Sequence, residues 1–90
     1  MTRQRVSRKH LEALTDQLND ALGRPATSYE VGRIILDYAS CYGGYALREL
    51  CNDKGGESFY WPDRSRVSAR EMQVFLLGQL TIIRLLEREK

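Results

Sequence analysis

"SCYGGYALRELCNDKGGES", residues 40–58, contains the segment on which the fold turns. Its middle, "YALRELCN" (45–52), lies between two Gly-Gly pairs, Gly43-Gly44 and Gly55-Gly56. Read as a strand, it joins its neighbours through two tight connections, with glycine supplying the positive φ that such turns use. Read as a helix, it puts Leu47, Leu50 and Cys51 on one side, and Ala, Leu, Arg and Glu are good helix formers. The strand is the more economical reading, and the helix remains its competitor.

The flanks favour the strand. "YEVGRIILDYA" (29–39) is β-branched and aromatic, with Ile34, Leu36 and Tyr38 on one face, and "SFYW" (58–61) is a short aromatic run before Pro62. A three-stranded antiparallel sheet follows.

Helices enclose this sheet at both ends of the chain. Ser7 is a good N-cap, Val6 and Leu11 stand at hydrophobic-staple positions, and Leu11, Leu14, Leu18 and Leu22 draw one apolar stripe. Gly23 then offers a left-handed C′ residue and Pro25 blocks continuation, so the spacing predicts a helix over 7–22. Ser68 and Glu71 form a capping box, with Val67 and Met72 as its staple, ahead of a helix from 69 to about 88. The fold class is therefore α+β. A basic tail (1–6) precedes a single α-β-β-β-α domain (7–90), whose two helices pack on one face of the sheet.

The second helix carries more apolar residues than one stripe needs. Met72, Phe75, Leu76, Ile83 and Leu86 form one line, and Val74, Leu77, Ile82 and Leu85 form another. A surface helix of a small domain buries one stripe against its own core, so the other needs separate cover. Gly78 costs about 1 kcal/mol in mid-helix relative to Ala, which close approach of another backbone would explain. Val74, Leu77, Gly78, Ile82 and Leu85 are thus the expected interface of a homo-oligomer, most simply a two-fold dimer. The competing arrangement is a sheet that curls around the helix and covers both stripes.

Composition sets further bounds. The chain has 90 residues, 42% apolar and 29% charged, with a net charge of +2. This fits one small globular domain, and no apolar run is long enough to span a bilayer. The basic start is not followed by a signal-peptide core, so a cytoplasmic protein is expected. Cys41 and Cys51 have neither CxxC nor zinc spacing, and no metal or cofactor is expected. His10, the single histidine, lies in the first turn of the first helix without a nucleophile nearby. Asp37, Glu49, Asp53 and Glu57 are scattered over the sheet segment without a partner at catalytic spacing, and neither Gly-Gly pair matches a phosphate loop. No catalytic residue is expected, and the chain reads as a non-enzyme.

Binding suits these materials better. Tyr38, Tyr42 and Tyr45 surround Gly43 and Gly44, where rings flank a turn that would expose backbone N–H groups. Arg64, Arg66 and Arg70 lie before and inside the first turn of the second helix, where its N–H groups attract anions. Tyr42, Gly43, Gly44, Tyr45, Arg48, Arg64, Arg66 and Arg70 form the expected ligand-binding set. The competing reading gives the glycines a turn, the tyrosines a core edge and the arginines to solvent.

The string Tyr42-Gly43-Gly44-Tyr45-Ala46-Leu47-Arg48, then Asn52 and Gly55-Gly56, then Arg70-Glu71-Met72 opening an apolar helix, carries a resemblance. Over about residues 30–80 the chain resembles small uncharacterised proteins encoded by tailed phages and prophages. Their pattern runs A-Y-G-G-x-x-L-x-R-x-x-N-x-x-G-G with a later R-E-L or R-E-M. Cys41 replaces the usual alanine here, and Glu49 falls where an apolar or basic residue is usual. The resemblance implies context rather than chemistry: host takeover or counter-defence by stoichiometric binding of a host protein, or by sequestration of a small nucleotide signal. Two alternatives stand beside it. The α-β-β-β-α order is also that of double-stranded-RNA-binding domains, although their lysine-rich helix start and histidine loop are missing. The other alternative is a minor virion assembly component.

Overall fold

The computed structural model describes residues 6–25, 30–39, 44–52, 56–62 and 65–88. The element order is α1 (Arg8–Ala21), β1 (Ile34–Ala39), β2 (Gly44–Leu50), β3 (Glu57–Trp61) and α2 (Ala69–Arg88). The three strands form one open antiparallel sheet in the order β1-β2-β3.

Both helices start at the expected caps. The Ser7 hydroxyl accepts from the His10 N–H at 3.1 Å, and α1 begins one residue later. At the other end Leu22 is the C-cap and Gly23 has φ of 71°. Arg24 N–H donates to the Asn19 carbonyl at 2.7 Å and Gly23 N–H to that of Asp20 at 3.1 Å. These are the two hydrogen bonds of a Schellman motif. Ahead of α2, Glu71 N–H donates to Ser68 Oγ at 3.2 Å while Ser68 N–H donates to Glu71 Oε1 at 3.3 Å, closing the capping box.

Segment 45–52 is a strand over its first six residues, so the helical alternative fails there. As the central strand it pairs on both sides, Leu47 with Leu36 and with Trp61, and burial of Leu47 outweighs a helix propensity worth only tenths of a kcal/mol per residue. Cys51 and Asn52 fall beyond it, in a connection closed by Cys51 N–H to the Gly56 carbonyl at 2.8 Å. β1 is shorter than 29–39 because Gly32, at φ of 96°, turns the chain just before it. Arg33 N–H closes that turn onto the Glu30 carbonyl at 3.1 Å, and Val31 is left exposed.

The ladder between β2 and β3 shifts register at Leu47/Arg48: Leu47 pairs with Trp61 but Arg48 with Phe59. Tyr60 is the extra residue of this β-bulge, and its effect is to turn two neighbouring aromatics to opposite faces. Trp61 lies with Leu47 on the helix side, stacked on Phe75 at 3.9 Å between ring centroids. Phe59 lies with Arg48 on the other.

One core forms between the sheet and the two helices. Leu11, Leu14 and Leu18 of α1 meet Ile34, Leu47, and Met72, Leu76 and Leu80 of α2. Two of the expected stripes need correction. Leu22 is 39% exposed at the C-cap, and buried Thr15 and Asn19 take the place expected for it. On α2, Leu86 is 59% exposed, because the core line runs 72, 76, 80, 83 and has turned away from it by the last turn. No described helix is long and apolar enough to cross a membrane.

Candidate functional site

The pleat of β2 divides the expected ligand-binding residues between two faces of the sheet. Tyr45 shares the helix side with Leu47, whereas Ala46 and Arg48 point to the far side, opposite Asp37 and Ile35. These residues therefore do not converge on one pocket. Tyr42, Gly43 and Arg64 lie outside the described residues.

At the Tyr-Gly-Gly turn, the described part is closed rather than open. Tyr45 N–H donates to the Val67 carbonyl at 2.8 Å and Val67 N–H returns to the Tyr45 carbonyl at 2.9 Å, an isolated bridge that extends the sheet past β3. Gly44 is buried against this crossing segment: a Cβ there would stand 2.5 Å from the Val67 carbonyl oxygen. Close approach, and not positive φ, is what requires glycine at this position. The Tyr45 ring packs against Tyr38 at 4.7 Å between centroids, with Tyr38 partly exposed.

On the far face Asp37 is clasped by two arginines. Arg66 donates from Nη2 to Asp37 Oδ2 at 2.6 Å and from Nη1 to the Gly44 carbonyl at 3.3 Å. Arg48 Nε stands 3.4 Å from the same Asp37 oxygen, an ion pair by distance that lacks a hydrogen bond, and its guanidinium lies 4.7 Å from the centre of the Phe59 ring. Arg66, expected at a phosphate site with Arg64 and Arg70, is thus engaged with Asp37 and the Gly44 carbonyl on the sheet. Arg70 is exposed on the first turn of α2. Glu49 pairs with Arg24 at 2.6 Å, and exposed His10 sets a ring nitrogen 3.1 Å from Gln73 Nε2, linking α1 to α2.

α2 presents the most continuous candidate surface. Val74, Leu77, Ile82 and Leu85 are 66, 45, 53 and 53% exposed, on the side of the helix turned away from the core. Three-strand curling does not cover them, and among the described residues nothing beyond Gly78's own stretch of helix comes within 4 Å of where its Cβ would stand. The close neighbour expected at Gly78 is therefore not supplied by the described residues of its own chain. Beside this stripe an apolar depression lined by Trp61, Arg70, Val74 and Phe75 carries the surface toward β3.

Sequence reasoning missed two polar clasps that position these faces. Asn19, fully buried, donates from Nδ2 to the Ile34 carbonyl at 2.7 Å and accepts at Oδ1 from Ile34 N–H, also at 2.7 Å. It thus serves the first residue of β1 as a neighbouring strand would. Its sequence signal is faint: Asn19 and Thr15 are polar residues four apart on an otherwise leucine-lined side of α1. The other is Asp37, whose signal is one acid inside the apolar run "IILDYA".

The described residues define a small α+β protein with an open sheet and an unpartnered helix face. No protein-family model, curated protein or solved structure matches the chain.

Proposed function

We propose that this protein works by stoichiometric binding without chemistry of its own, and that the outward face of α2 is a protein-docking surface that makes it a homo-oligomer. The observation that carries this reading is the exposed stripe Val74, Leu77, Ile82 and Leu85. Separate exposed apolar side chains need no partner, but four on one helix face form a contiguous patch of the kind that marks an interface. The resemblance to small phage proteins supplies the context, in which a cytoplasmic accessory protein neutralises a host or defence component by occupying it.

A protein target has more support than a nucleotide or a nucleic acid. Arg66 is paired with Asp37 and Arg48 lies over Phe59, so these two described arginines offer phosphates little free positive charge. Association through α2 also leaves the far face of the sheet available for the target.

Native mass spectrometry of gently purified protein tests the docking surface. The wild-type chain is expected as an assembly heavier than one subunit. Leu77→Glu or Ile82→Glu should return the mass of one chain with an unchanged far-UV circular dichroism spectrum, since burying an unpaired carboxylate costs on the order of several kcal/mol. A wild-type protein that stays at single-chain mass across the micromolar range would overturn the reading.

A further inference from the structure

We draw no further inference here: the strongest candidate, the groove between α1 and β1 lined by Glu12, Thr15, Asp16, Arg33 and Leu36, has its two acids paired with Arg8 and Arg33 of the same chain, and nothing in the structure shows what covers it.

Discussion

On one side of α2, Met72, Leu76 and Leu80 are buried against α1 and the sheet, whereas on the opposite side Val74, Leu77, Ile82 and Leu85 stand in solvent. Both sides are aliphatic, and both repeat at helical spacing. What separates them is the size of the rest of the fold: one helix and three strands close one face of a 20-residue helix and have nothing left for the other. The difference teaches that apolar periodicity locates faces that must be covered, while the element count tells how many the chain covers by itself.

The strongest way to break this comparison is to damage the closed side. Leu76→Ala removes a fully buried side chain from the centre of the core and should cost about 2–5 kcal/mol of unfolding free energy, read as a lower urea midpoint. Loss of the same size from Leu77→Ala would mean that the two sides are not distinct within one chain. A value within about 0.5 kcal/mol for Leu77→Ala in the dissociated protein is what an exposed site gives.

Asn19→Ala tests a different part of the closed side. It leaves the buried N–H and carbonyl of Ile34 without their side-chain partners, and each buried group left unpaired costs about 1–3 kcal/mol. The expected loss is about 3 kcal/mol, with the amide proton of Ile34 exchanging faster in proportion. If exchange there is unchanged, the β1 edge is held by its pairing with Glu49 and not by α1.

Much of this architecture was legible in advance, for stated physical reasons. Ser7, Gly23 and the Ser68–Glu71 box are local signals, decided within a turn of chain, and the helix ends fall where they point. The strand reading of 45–52 followed from its neighbours, and the outward stripe of α2 from helical phase. What escaped depends on contacts between distant segments. Nothing near Gly44 announces that Val67 will cross it, nothing near Arg66 that it will turn to Asp37, and the bulge at Tyr60 shows only once β2 and β3 are paired. The described strand members of the expected ligand set, Tyr45 and Arg48, lie on two faces for the same reason: alternate residues on a strand point to opposite sides, and the register decides which residues of neighbouring strands share one.

The smallest expected effect sharpens the comparison most, because its sign differs between one chain and two. In the single chain Gly78 is exposed, and among the described residues nothing beyond its own stretch of helix lies within 4 Å of where its Cβ would be. Gly78→Ala there gains helix propensity and removes backbone freedom from the unfolded state, which should stabilise the dissociated protein by about 0.5–1 kcal/mol. In an assembly packed on this face the same methyl meets a neighbouring copy where the absence of a side chain lets backbones approach, and association should weaken severalfold. Urea unfolding below the dissociation constant reads the first quantity, and sedimentation equilibrium reads the second. A glycine kept only by chance would let both improve or leave association unchanged. One kept for packing between copies gives a more stable subunit that dimerises less well, and that opposition of signs is what a face left open by its own fold predicts.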